Sequence, residues 1–519
     1  MQRYKALVLL SLIGCTLLYT ILLLVIKQPD AIYSDSGMNF LQLDQWIGSG
    51  YQSLAYQYKA AAIDPAEKWL PFELPWIGRY DGQTWLQYPP WFFGLAAPFY
   101  LLLGTIGFYI LNLAAFLLTQ FVLIALARRT GASPVQQSIA VIMNSIGLTA
   151  PLYTLYFHEY SLAWLLALVS FYFGWQAIQR EQTRHYVSFA VCFAAAVVLR
   201  LELLLMLAPT ALAVAWPALR HPQRHWMKLL WLAAGFTPVI ALYFAGNRTL
   251  HGHPLGLRYI NNVAQSGVYG LAGHAAIVYK LLFGRGEGLF AQSPWILLVV
   301  AAVFWPRFRR VSHIMRFFTL IFSGMLLVLL LTPNQGSHFA PRYLFGLYPL
   351  LGLLFAHLII QIWQTWRTSA SKLSSRAALL VLLTALLATA YSVAQYHKTL
   401  RWILASDQAV LAANQQLITE SQDTLVFLEY GSPQNMQWAM RSKSSLVITS
   451  AKDLQQFWQA ARAHRIGAFS IAWPNLNRAA GAGIQSTAAI PGFPADWLPR
   501  EPDAIHSGPY VILDFKLSP

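Results

Sequence analysis

Five places in the sequence carry ionisable side chains of the kinds that acid–base and anion-binding chemistry need. Asp35 follows a long apolar run, within IYSDSGMNFLQLDQWIGSGY (Ile32 to Tyr51). Glu159 stands beside His158 in LYTLYFHEYSLAW, and Arg200 and Glu202 interrupt AVVLRLELLLM. Arg342 lies in GSHFAPRYLFGLYPLL, with His338 and Tyr343 close by. The fifth place holds Arg248, Arg258, Lys280 and Arg285 against one acid, Glu287. A positioned carboxylate can take a proton from an attacking hydroxyl, and grouped cations can hold an anion. Plainer explanations stand beside each. SDSG offers capping oxygens for a helix, and Glu159 can sit where a helix dipole favours negative charge. Arg200 and Glu202 can pair within a tight turn, and Arg342 can snorkel to an interface.

The elements that must position these groups are helices in a bilayer. The chain has 519 residues, 57% hydrophobic and 11% charged, whereas about a quarter of a soluble domain is charged. Ala6 to Ile26 is uncharged and long enough to cross roughly 30 Å of hydrocarbon. It reads as an uncleaved anchor, although LIGC at Leu12 to Cys15 has the look of a lipoprotein cleavage box. Ten further spans are expected at about 107–127, 135–152, 160–178, 185–200, 201–218, 227–245, 289–305, 316–332, 342–363 and 377–395, eleven in all. The two cysteines, Cys15 and Cys192, both lie in apolar runs, so neither a disulfide framework nor a thiolate metal site is expected.

Every second connection is basic: ARRTG, QREQTRH, LRHPQRHWMK, WPRFRRVSHIMR and WRTSASKLSSR. The positive-inside rule puts these, and the N-terminus, in the cytoplasm. Of the eleven acids before residue 396, only Glu181 falls in a basic connection. Chemistry that needs a carboxylate is therefore expected outside the cytoplasm, where two long loops lie, at about 27–106 and 246–288. YPPWFFGLAAPFYLLLG (Tyr88 to Gly104) is apolar but short, and its aromatic residues suit an interfacial helix.

Two domains follow: residues 1–395 in the membrane and a soluble domain, 396–519, outside the cytoplasm. TLVFLEY, SLVITS, GAFSIAW and YVILDF alternate as short strands do, and AKDLQQFWQAARAHR has helical periodicity. The expected fold is a polytopic α-helical membrane protein with a small C-terminal α/β domain. His251, His253 and His274 follow no metal-binding spacing, and neither a Walker loop nor a zincin motif occurs.

Four features together resemble the GT-C superfamily of integral-membrane glycosyltransferases: Asp35 after the first span, YPPW before an interfacial helix, GRGEGLFAQSPWILL entering a span, and GSHFAPRYLFGLYPLL. The last two are similar to segments of bacterial relatives of protein mannosyltransferases and of the aminoarabinose transferase of lipid A. YPPW is similar to polyprenol-phosphate mannosyltransferases of the same superfamily. The resemblance covers residues 1 to 395 and implies that Asp35 is the catalytic base. The family often has Asp-Glu after its first span and a second acidic motif in the next external loop. This chain has SDSG and His158-Glu159 there.

The resemblance implies a sugar donor linked to polyprenyl phosphate, an acceptor that is a lipid, glycan or protein, the bilayer as a partner, and no nucleic acid. The departing phosphate needs cations more than a proton. The candidates for that role are Arg342, Arg258, Lys280 and Arg200. Asp35 would deprotonate the acceptor, Glu159 would assist, and His158, Tyr88, His338 and Tyr343 would contact substrate. One base and one displacement imply inversion at the anomeric carbon. No cofactor or resident metal is assigned, with a divalent ion left open. The expected location is the inner (plasma) membrane. A lipid-linked-sugar flippase or secondary transporter is the rival reading, but it would favour inverted repeats and broken helices, and no repeat is found.

Overall fold

The computed structural model describes residues 2–73, 76–88, 90–257, 270–304, 311–331, 339–368, 371–475 and 504–517. Arg258 and His338 lie outside the described residues. In chain order the elements begin with α1 (Gln2–Ile21), α2 (Ser34–Gly48), β1 (Ile77–Tyr80), β2 (Gln83–Leu86), α3 (Pro90–Leu103), α4 (Ile106–Arg129) and α5 (Pro134–Ile146). They continue with α6 (Tyr160–Arg180), α7 (Thr183–Leu199), α8 (Glu202–Arg220), α9 (Pro222–His251), α10 (Leu271–Phe283), α11 (Leu289–Gln292), α12 (Trp295–Ala301) and α13 (Ser312–Leu331). The last are α14 (Tyr348–Thr368), α15 (Lys372–Glu420), β3 (Thr424–Phe427), α16 (Gln437–Met440), β4 (Ser444–Val447), α17 (Ala451–Ala463), β5 (Ala468–Pro474), β6 (Ala504–Ser507) and β7 (Tyr510–Lys516).

Contacts gather the chain into two compact units that do not follow chain order. One comprises Met1–Ile26, Tyr109–Asn247 and Val263–Arg401; the other comprises Lys27–Phe108, Arg248–Asn262 and Trp402–Pro519. The composition change near 395 falls inside α15, a continuous helix of 49 residues.

The first unit is helical. Among the described residues, 8 helices are long and apolar enough to cross a membrane, from Lys5–Ile26 to Leu373–Glu420. The expected spans at 135–152 and 289–305 are shorter helices, α5 of 13 residues and α12 of 7 continued by a 3-10 turn, whereas that at 185–200 is matched by α7 of 17 residues. Local signals account for both short lengths. α5 starts at a capping box, with the Ser133 hydroxyl accepting from the Gln136 N–H and Pro134 at the first helical position. It stops at Gly147, and Ala150–Leu155 is a separate 3-10 turn containing Pro151. α12 begins only after Pro294. α6 packs on α7 and α8, α5 packs on α1 and α14, and α8 packs on α13.

The second unit joins the segment after the first long helix, Lys27–Phe108, to the C-terminal sheet. Its sheet has the order β4-β3-β5-β7-β6. β3 is parallel to both β4 and β5, and β7 is antiparallel to β5 and β6. Four strands and α17 match the sequence reading, whereas β6 was not foreseen. α17 is capped by Ser450, whose hydroxyl accepts from the Asp453 N–H, and it buries Leu454, Phe457 and Ala461. Met38 and Leu41 of α2, Trp69, Phe72 and Leu86 of the loop, and Val426, Leu446, Phe469 and Phe515 of the sheet share one core. The Trp69 carbonyl accepts from the Val447 N–H of β4 at 3.0 Å. Asp64, 3% exposed, is used structurally: it accepts from the Tyr58 hydroxyl and from the N–H groups of Lys68 and Trp69.

The loop also carries an unforeseen hairpin, β1–β2, in antiparallel register. Its two-residue connection, Asp81-Gly82, has φ of 52 and 72, as a type I′ turn requires. The short apolar segment expected after Tyr88 is α3, 14 residues long.

Candidate active site

Asp35 lies in the first turn of α2 and is 7% exposed. Tyr33, not Asp35, occupies the N-cap position, and its side chain makes no cap bond. The preceding residue, Ser34, has φ of 54, in the left-handed region that non-glycine residues seldom enter. The Tyr88 hydroxyl donates to Asp35 Oδ1 at 2.6 Å, and Trp76 stacks on Tyr88 at 6.4 Å. A hydrogen bond to a carboxylate fixes its direction. Tyr88, expected to contact substrate, is thus a hydrogen-bond partner of Asp35. One turn on, the Asn39 amide donates to the Asp35 carbonyl at 3.1 Å.

The approach to α2 is fixed by a buried ion pair. Lys27 Nζ donates to both Asp407 carboxylate oxygens at 2.8 Å, and Tyr33 bonds Asp407 as well. Burial pulls the Lys27 ammonium below its ordinary range, and the Asp407 charge opposes that pull.

In the helical unit, Arg200 is the centre of a second constellation. It caps the end of α7, with Glu159 at the head of α6 and Glu202 opening α8. Its guanidinium donates to Glu159 Oε1 at 2.8 Å and to Glu202 Oε1 at 2.7 Å. The side chains of Arg200 and Glu159 are each 2% exposed. The guanidinium also sits 4.5 Å from the Tyr160 ring centre and 6.0 Å from that of Tyr343. Arg342 lies 5.8 Å from the same Tyr343 ring, at the start of a 3-10 turn. His158 is buried between the rings of Tyr156 and Tyr160, at 6.2 and 5.2 Å. Arg200, Glu159, His158, Arg342 and Tyr343 are thus assembled from separate stretches of chain. The Arg200 charge is matched by two carboxylates, which makes it a poor first choice for an anionic ligand. Glu202 and Tyr160 belong to the cluster too. Sequence spacing indicated Glu202, two residues from Arg200, but gave no sign of Tyr160.

Lys280 stands on α10, 42% exposed, and pairs with Glu287 at 3.1 Å. His253 accepts from the Leu255 N–H, His274 contacts the Leu329 carbonyl at 3.1 Å, and His251 packs edge-on against Trp85. Among the described residues, no three His, Cys, Asp or Glu side chains group closely enough to hold a metal ion.

No protein-family profile matches the sequence, and no curated protein matches it. Solved structures do match. ArnT from Cupriavidus metallidurans bound to undecaprenyl phosphate aligns with a TM-score of 0.51 at 11% identity, over 98% of this chain and 97% of that one. The apo state of the same ArnT gives 0.48 at 11% identity, over 96% and 98%. The apo oligosaccharyltransferase of Archaeoglobus fulgidus gives 0.49 at 9% identity, over 90% of this chain and 69% of that one. The alignment with lipid-bound ArnT shows a shared fold over nearly the whole of both chains. The protein is a polytopic α-helical membrane protein with a small C-terminal α/β region. At the level of fold this agrees with the resemblance read from the sequence.

Proposed function

We propose that the protein is a membrane glycosyltransferase that moves a sugar from a polyprenyl-phosphate donor to an acceptor hydroxyl on the extracytoplasmic face of the plasma membrane. The N-terminus is cytoplasmic and the C-terminal domain external, by the distribution of basic connections. The observation that carries the reading is the buried Asp35 carboxylate, aimed by the Tyr88 hydroxyl at 2.6 Å, at the head of a helix that follows the first span. ArnT, which shares the fold, was crystallised with undecaprenyl phosphate, and this supports a lipid-linked donor.

The step is a single displacement. Asp35 takes the proton from the acceptor hydroxyl as its oxygen bonds to the anomeric carbon. The bond from that carbon to the phosphate oxygen breaks, and its electron pair leaves with the phosphate. The anomeric centre inverts. The candidates for the phosphate are Arg342, Arg258, Lys280 and Arg200, of which Arg342 stands at the start of a 3-10 turn beside the Tyr343 ring. Glu159 acts through Arg200, by fixing the cluster around Tyr160 and Tyr343. No cofactor is assigned, and transfer in the presence of a chelator decides metal dependence.

The test uses purified protein in lipid, radiolabelled polyprenyl-phosphate sugars and a membrane extract as acceptor. Label transfer should occur and should fall by about 10²- to 10⁴-fold in Asp35→Asn, the range for loss of a general base. Movement of intact donor across the bilayer, without transfer and unaffected by the substitution, would establish the flippase instead.

A further inference from the structure

The segment that follows β3, from Gln434 to Arg441, lies along α2 turn by turn. At the first turn, the Ser34 N–H donates to the Gln434 carbonyl at 2.8 Å. The Gln437 amide donates to that same carbonyl at 2.6 Å and to the Ser34 carbonyl at 3.3 Å. Gln437 is 0% exposed, and a Cβ added at Gly37 would collide with its carboxamide. At the next turn, Trp438 stacks on Phe40 with centroids 5.1 Å apart. One turn further, Arg441 forks onto Asp44 at 2.9 and 3.1 Å. The segment is itself anchored: Asn414 of α15 accepts from the Ala439 N–H at 2.8 Å.

Ser34, whose φ is 54, immediately precedes Asp35. A non-glycine residue persists in that region only where its surroundings over-determine it. Here the surroundings are Gln434 and Gln437, which hold its N–H and its carbonyl. We propose that the β3–α16 segment of the C-terminal domain sets the position of Asp35, and that Gln437 is a positioning residue for the transfer step. The inference rests on Asp35 acting as the base. It gives the C-terminal domain a part in catalysis beyond any recognition of the acceptor. Gly37 is required because the amide must reach the helix backbone. Gln437 is required because its Nε2 reaches two carbonyls at once.

The experiment uses the full chain in lipid and two readouts. The first is backbone hydrogen exchange, which needs no activity: Gln437→Ala should speed exchange across Ser34 to Asn39 and leave β5 and β7 unchanged. The second is kinetic: kcat should fall by about tenfold to a hundredfold, the cost of an ångström-scale misplacement, with donor KM within about twofold. Gln437→Glu should recover part of the lost rate as pH is lowered, because a protonated carboxyl regains a donor for the shared carbonyl. Gly37→Ala, which pushes the same contact from the helix side, should reproduce the kinetic loss. If exchange at Ser34 to Asn39 does not change in Gln437→Ala, the positioning role is wrong. It is also wrong if kcat falls only in proportion to a general loss of folded protein. Changed exchange in a chain that transfers no sugar would overturn the assignment of function and keep the structural coupling.

Discussion

Two buried carboxylates, one in each compact unit, are held in different ways. Asp35 is aimed by a phenol, 53 residues away in sequence. Glu159 is bound by the guanidinium of Arg200, which Glu202 also grips. A phenol directs a carboxylate without altering the charge balance. A guanidinium ties its partner into the fold, because removing either member leaves an uncompensated charge out of water. The first arrangement suits a group that must exchange a proton during turnover, and the second suits a joint between helix ends. In the sequence both acids follow apolar runs, and it is the resemblance that makes Asp35 the base and Glu159 its assistant.

The largest test of that contrast removes the joint. Arg200→Met should cost about 3–5 kcal/mol of stability, the range for breaking a buried pair, read from thermal unfolding in detergent. Combining it with Glu159→Gln should recover at least half of the loss. A single variant as stable as wild type would show that the cluster is not structural. Next comes Tyr88→Phe. Losing a hydrogen bond to a charged group costs about 1.5–3 kcal/mol, and here it should appear in kcat, as roughly tenfold to a hundredfold, with the unfolding midpoint nearly unmoved. A fall in stability without a fall in kcat would make Tyr88 a structural partner.

A smaller effect is expected at Lys280→Ala. Its pair with Glu287 is substantially exposed, and exposed pairs contribute about 0–1 kcal/mol, so donor KM and stability should stay close to wild type. A large rise in donor KM would promote Lys280 to a phosphate ligand. The smallest test uses Glu429, a third carboxylate held by a hydroxyl, that of Ser432 at 2.9 Å. Burial raises its pKa, and the Ser432 bond only partly offsets this. Because the folded chain holds this proton more tightly than the unfolded one, stability falls as pH rises from the ordinary Glu range through the raised value. Glu429→Gln should remove that dependence. It should match wild type in acid and be slightly more stable at neutral pH, by thermal unfolding at several pH values.

Much of the arrangement was legible in the sequence where the signal is local. Asp35 stood out as a carboxylate just past an uncharged run, and α17 and four strands followed from period and composition. The β1–β2 hairpin was legible but unread: Asp81-Gly82 between WIGRY and QTWLQY is a strong short-range turn signal. What was not legible depends on distance between remote residues. Arg200 and Glu159 are 41 positions apart, and nothing in either stretch says that they meet. The same holds for Gln437 against Gly37. Two spans came out short because apolar composition continues through Gly147 and Pro294 while the backbone does not continue as helix.

The Lys27–Asp407 pair also has a consequence in time. Its members are 380 residues apart, and at synthesis rates of about 5–20 residues per second the ammonium waits roughly 20 to 80 seconds for its carboxylate. For that interval the nascent chain must keep Lys27 hydrated, and the helix bearing Asp35 cannot yet close onto its final neighbours. Assembly of the Asp35 region is thereby deferred until Asp407 has emerged, so premature termination upstream of Asp407 should yield inserted chains in which α2 is not fixed.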